Sequence, residues 1–116
     1  MIDANVKRGS AELAVLSLLE RGAMHGYEIA KRVEQETGGV LKFDVASLYP
    51  LLYRMEKRGW VAASWQESDA GRRRRCYKLT REGKKQLVPL RNQWRRFFDA
   101  LDRLGGLADV CSEGAR

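Results

Sequence analysis

The stretch Ser47-Leu48-Tyr49-Pro50-Leu51-Leu52-Tyr53-Arg54-Met55-Glu56-Lys57-Arg58-Gly59 sorts its side chains onto two faces of a helix. Leu48, Leu51, Leu52 and Met55 recur at i, i+3, i+4 and i+7, the stripe that a helix turns toward a core. Tyr49, Tyr53, Arg54 and Lys57 fall on the opposite face and carry hydrogen-bonding and cationic groups. Pro50 lacks an N–H and fits without loss in a first turn, so the predicted helix starts from Ser47 as N-cap and stops before Gly59. One side is built to be anchored and the other to read a partner.

Upstream, Leu13, Leu16 and Leu19, widened by Val15 and Leu18, predict a largely buried helix over Ser10–Gly22. A second helix is expected from Gly26 to Thr37, with Tyr27, Ala30 and Val33 on one face, and the Gly38-Gly39 pair ending it. His25 reads as an ordinary helix-entry residue. The alternation in Val40-Leu41-Lys42-Phe43 predicts a short strand.

Downstream, Val61, Ala63 and Trp65 alternate with Ala62, Ser64 and Gln66, and Tyr77 and Leu79 resume one face after a polar gap, which predicts a β-hairpin. Ser68-Asp69-Ala70-Gly71 supplies the turn and delivers the chain into Arg72, Arg73, Arg74 and Arg75. Thr80 is the expected cap of a last helix that ends at Gly105-Gly106. Leu87, Leu90, Trp94, Phe97, Leu101 and Leu104 repeat in steps of three and four, a seam as narrow as that of a coiled coil. Pro89 lies within this pattern and predicts a kink or a delayed start. The expected organisation is a helix-and-hairpin domain over residues 1–80, a separate long helix over 81–106 and a frayed or disordered tail over 107–116.

The 116 residues, 44% hydrophobic, suffice for one compact core. Lys and Arg exceed Asp and Glu by 22 to 15, giving +7, and the Arg72–Arg75 run supplies more than half of that excess. Such a charge favours a polyanionic partner. Two distant cysteines and one histidine make no zinc cluster. No apolar run matches a membrane span, and no phosphate loop or nucleophile elbow is found. The expectation is a cytoplasmic protein without enzymatic activity, metal, cofactor or membrane partner.

Three helices followed by a hairpin with a basic tip give the order of a winged helix-turn-helix, mainly α with a small β-hairpin. In such a fold the third helix enters the major groove and the wing follows the backbone. Arg54 suits a bidentate pair with guanine, Tyr49 and Tyr53 suit hydrogen bonding or stacking, and the wing arginines suit phosphates or the minor groove. The candidate DNA-binding set is Tyr27, Ser47, Tyr49, Pro50, Tyr53, Arg54, Lys57, Arg72, Arg73, Arg74 and Arg75. Tyr27 has two roles open to it, an anchor for the second helix or a phosphate contact.

The segments Met24-His25-Gly26-Tyr27-Glu28-Ile29, Ser47 to Gly59 as quoted, and Gly71-Arg72-Arg73-Arg74-Arg75-Cys76-Tyr77-Lys78-Leu79-Thr80 together resemble the PadR family of bacterial transcriptional regulators. The resemblance runs from about Ser10 to Phe98, with Cys76 standing where the family commonly has an aromatic or large residue. It implies a short-form member whose single C-terminal helix mediates homodimerisation, binding a palindromic operator in double-stranded DNA and usually repressing a nearby gene. A two-fold dimer sets its reading helices about 34 Å apart. The seam of Leu87, Leu90, Trp94, Phe97, Leu101 and Leu104 points to the same dimer, although part of it can pack on the first helix of its own chain. Some family members bind flat aromatic molecules between protomers, and Trp94 matches such a position, with Phe97 and Phe98 nearby; a plain interface role for Trp94 is the other reading. A protein-interaction module docking an acidic partner also accommodates the wing arginines. Thiol sensing through Cys76 is a further alternative to an inert cysteine.

Overall fold

A computed structural model describes residues 4–67 and 70–106. The elements are α1 (Ala4–Glu20), β1 (Met24–His25), α2 (Gly26–Glu36), α3 (Val45–Lys57), β2 (Val61–Glu67), β3 (Arg73–Leu79) and α4 (Arg81–Gly105). The expected tail over 107–116, with Cys111, and residues 68 and 69 of the expected hairpin turn lie outside the described residues.

The core is assembled from the apolar stripes. Val15, Leu16, Leu18 and Leu19 of α1, Ile29 and Val33 of α2, and Leu48, Leu51, Leu52 and Met55 of α3 pack together with Met24, Val61, Tyr77 and Leu87. Burying a residue such as Leu52 completely stabilises the fold by roughly 1.5–3 kcal/mol over leaving it in water. β2 and β3 form the expected hairpin in continuous antiparallel register from Val61↔Leu79 to Glu67↔Arg73. β1 adds a third strand on the other edge of β3, with Met24 opposite Tyr77 and His25 opposite Cys76, so the sheet order is β1-β3-β2. Two residues are too few to show an alternation, and β1 exists only because β3 offers its free edge.

Four local expectations are corrected. α1 begins at Ala4, upstream of the expected Ser10. Val40–Phe43 forms no strand: the Thr37 hydroxyl donates to the Val33 carbonyl at 2.7 Å and accepts from the Leu41 N–H at 3.0 Å, which folds the segment into a turn. Leu41 and Phe43 then pack against the core individually. Asp44, and not Ser47, caps α3, its carboxylate accepting from the Ser47 N–H at 2.8 Å. Pro50 therefore lies inside the helix. Its missing N–H deprives only the Ala46 carbonyl, and both residues are exposed, so water supplies the partner. α4 likewise starts without delay at Arg81 and runs through Pro89 to Gly105. Lys85 and Pro89 also lie on an exposed face.

The start of α4 is fixed to the exit of α3. Thr80 caps the helix by accepting from Gly83 N–H at 2.9 Å, while its own N–H donates to the Trp60 carbonyl at 3.1 Å. Gly83 is required there, since a Cβ would collide with the Trp60 carbonyl oxygen. Trp60 N–H in turn donates to the Met55 carbonyl at 2.9 Å. Helix α3, the hairpin and α4 thus meet at one junction.

Candidate nucleic-acid interface

The register of the hairpin divides the arginine run. Alternate residues of a strand leave opposite faces and directly paired residues share one. Arg73 and Arg75 therefore stand on the face of Trp65, which is paired with Arg75. The Arg73 guanidinium lies 5.0 Å and that of Arg75 5.6 Å from the Trp65 ring centroid, stacking distances for a cation on an aromatic face. Arg72 and Arg74 are exposed along the same strand approach.

Opposite the wing stands the outer face of α3. Ser47, Tyr49, Pro50, Tyr53, Arg54 and Lys57 are all exposed, while Leu48, Leu51, Leu52 and Met55 face the core. The Lys57 ammonium sits 5.1 Å from the Tyr53 ring centroid. Tyr49 lies over the start of α2, where a Cβ on Gly26 would come within 2.7 Å of its hydroxyl oxygen. Glycine at 26 is what lets the ring come this close to the backbone. Tyr27 is exposed on α2, with Lys31 6.0 Å from its ring centroid. It is not an anchor for α2: Ile29 and Val33 hold that helix to the core.

Between α3, the start of α2 and the wing runs an open groove of about 560 Å³. Tyr27, Tyr49, Tyr53, Trp65, Arg73 and Arg74 line it, with Glu56, Arg75 and Tyr77 deeper. Arg75 is engaged within the protein: its Nη2 donates to both Glu56 carboxylate oxygens, at 2.8 and 3.1 Å. Burial pushes the Tyr77 hydroxyl above the usual tyrosine range, partly opposed by the Arg75 charge and reinforced by Tyr49 and Glu56. The groove is thus floored by a neutral phenol and walled by aromatic rings and cations. Such a surface accepts an extended polyanion with hydrogen-bonding edges.

Two residues of this surface do not emerge from the sequence. Trp65, whose alternation continues the Val61–Ala63 core face, is 55% exposed, because the hairpin extends beyond the body of the core. Glu56 is the single acid on the polar side of α3, and only the fold brings it to Arg75. Cys76 is buried within the sheet, its thiol withdrawn from solvent.

The seam on α4 separates into two halves. Leu87 is 1% exposed inside the chain's own core and offers no surface to a second chain, which corrects its assignment to the dimer interface. Leu90 packs on that core, and the Trp94 ring meets α1 at Gly9, where a Cβ would lie 3.2 Å from its Cζ2. Phe97, Leu101 and Leu104 are exposed, Leu104 to 89%. Trp94 also touches Phe97 edge-on at 5.6 Å and Phe98 at 6.0 Å between centroids. Among the described residues no helix is long and apolar enough to cross a membrane, and no group of three His, Cys, Asp or Glu side chains is placed to hold a metal.

This combination, an anchored helix with a polar outer face beside a cationic hairpin, defines a winged helix-turn-helix with an appended C-terminal helix. The chain matches the model of the transcriptional regulator PadR-like family over residues 15–88, and it belongs to that family. It is similar to a transcriptional regulator from Clostridium thermocellum, 28% identical with a TM-score of 0.80, over 90% of this chain and 99% of the other. A transcriptional regulator from Thermoplasma acidophilum is 30% identical with a TM-score of 0.71, covering 84% and 94% of the two chains. A PadR family transcription regulator from Clostridium difficile is 29% identical with a TM-score of 0.72, covering 81% and 96%.

Proposed function

We propose that this regulator binds a palindromic operator in double-stranded DNA as a homodimer and represses transcription from it. The observation that carries this reading is the placement of Tyr49 and Tyr53, on the outer face of α3, and the arginine wing on the two sides of one groove. Arg54, exposed and without an ion-pair partner among the described residues, reads guanine in the major groove, with Tyr49, Tyr53 and Lys57 beside it. Ser47 and Pro50 at the leading end of α3, Tyr27 on α2, and Arg72, Arg73 and Arg74 on the wing follow the phosphates. Arg75 sets the wing from within. The exposed distal face of α4, from Trp94 through Phe97 and Leu101 to Leu104, with Leu90 at its inner edge, joins the protomers. The cluster of Trp94, Phe97 and Phe98 gives a flat aromatic effector its contact at that junction.

Selection of bound duplexes from random DNA tests the reading, and a palindrome is the expected product. On the selected duplex Arg54→Ala costs about 1–3 kcal/mol and relaxes preference at one position of each half-site. The triple change of Arg72, Arg73 and Arg74 to Ala weakens binding to every sequence and lowers the slope of log affinity against log salt by roughly 0.9 for each phosphate no longer neutralised. A chain that retains no duplex refutes the proposal and favours docking of an acidic protein on the wing.

A further inference from the structure

The wing and the reading helix are linked by a three-part contact that neither element needs for its own formation. Glu56 projects from α3, Arg75 from β3 and Trp65 from β2. The Arg75 guanidinium bonds both Glu56 oxygens through Nη2 and lies against the Trp65 ring, which also carries Arg73. Both partners of the ion pair are partly shielded, with side chains 39% and 29% exposed, at the inner side of the groove. Elsewhere the described ion pairs join helices or the residues just past their ends, as in Arg91–Glu20, Arg21–Glu36 and Arg58–Glu12, or stay within one helix, as in Arg32–Glu28. Glu56–Arg75 is the described pair that joins α3 to the hairpin.

We propose that Glu56, Arg75 and Trp65 form a brace that sets the angle of the wing to α3, and so makes Glu56 a positioning residue for operator binding. This rests on the DNA-binding reading given above. A carboxylate at the inner side of a groove meant for a polyanion opposes binding by simple charge, so its presence calls for a compensating function. Holding Arg75 supplies one. With Arg75 fixed, Trp65 is fixed by stacking, and Arg73 is carried to a defined place against that ring. The phosphate-facing cations are then presented in a preformed arrangement, and less ordering is left to occur on binding.

The two effects of Glu56 have opposite signs, which makes the test sharp. Glu56→Gln raises the net charge by one and preserves side-chain size. By charge alone it tightens binding to all DNA. The brace requires instead that affinity for the selected duplex fall by roughly tenfold, a typical coupling for one interacting side-chain pair, with little change on a scrambled duplex of equal length. Arg75→Lys, which keeps the charge but loses the planar stack, should reproduce part of the loss. The indole N–H resonance of Trp65, assigned by its disappearance in Trp65→Phe, reports the brace without DNA and should shift in both variants. An unmoved resonance overturns the brace. A moved resonance with equal or tighter binding of the selected duplex overturns the positioning role. Failure of the parent chain to bind any duplex defeats the DNA-binding reading itself, a result separable from the other two because it precedes any substitution.

Discussion

Helix α3 and the distal half of α4 both carry one apolar stripe, yet they stand in opposite situations. In α3 the stripe of Leu48, Leu51, Leu52 and Met55 is satisfied inside the chain, and the exposed face is polar and cationic. In α4 the stripe is satisfied as far as Leu90, Trp94 is half-buried against Gly9 of α1, and beyond them Phe97, Leu101 and Leu104 face outward. The first arrangement leaves charge to be neutralised and the second leaves apolar area to be covered. Each exposed face therefore specifies its own partner chemistry, a polyanion for α3 and an apolar surface for α4.

The contrast is sharpest in stability. Leu52 is fully buried, so Leu52→Ala should cost about 2–5 kcal/mol in denaturant unfolding. Leu104→Ala should stay within about 0.5 kcal/mol when measured at concentrations where the chain is monomeric. Equal losses at the two sites would erase the distinction between a satisfied and an unsatisfied stripe.

Assembly tests the other side of the comparison. Replacing Leu101 and Leu104 together by Ser should leave helix content by circular dichroism unchanged and shift the mass seen in sedimentation from that of the proposed dimer to that of a monomer. Persistence of a dimer would show that the distal stripe is not the face that pairs.

The smallest expected effect lies at the floor of the groove. Burial raises the pKa of the Tyr77 hydroxyl above the ordinary tyrosine value of 10.0, so the folded state keeps this proton longer than the unfolded chain does. Its contribution is intact below that value and is lost as pH rises through the folded-state pKa, so stability should decline on the alkaline side. Tyr77→Phe should flatten that decline in thermal melts between neutral and strongly alkaline pH. An unchanged alkaline slope would mean that the Tyr77 hydroxyl does not titrate with unfolding.

Much of this was legible in residue order because it rests on local chemistry. A stripe at helical spacing declares which side of α3 is core wherever the helix docks, since burial of apolar area is non-directional. Alternation and turn residues declared the β2–β3 hairpin, and four adjacent arginines declared a cationic wing. Boundaries were less legible, because a helix start is a competition among nearby caps. Asp44 prevails over Ser47 once the segment before it is tied down by Thr37 rather than extended as a strand.

What the tertiary structure alone decided are the relations between distant segments. β1 exists because β3 has an edge to offer, Gly26 matters because the Tyr49 ring lies on it, and Gly83 matters because the Trp60 carbonyl presses against it. Leu87 belongs to the core and Leu104 to the surface although one seam contains both. The Glu56–Arg75 contact joins α3 to β3, and only the fold brings those two side chains together. Periodicity reports which face of an element is apolar. Only packing determines how far along that element the chain's own core extends, and which charges it brings within reach of one another.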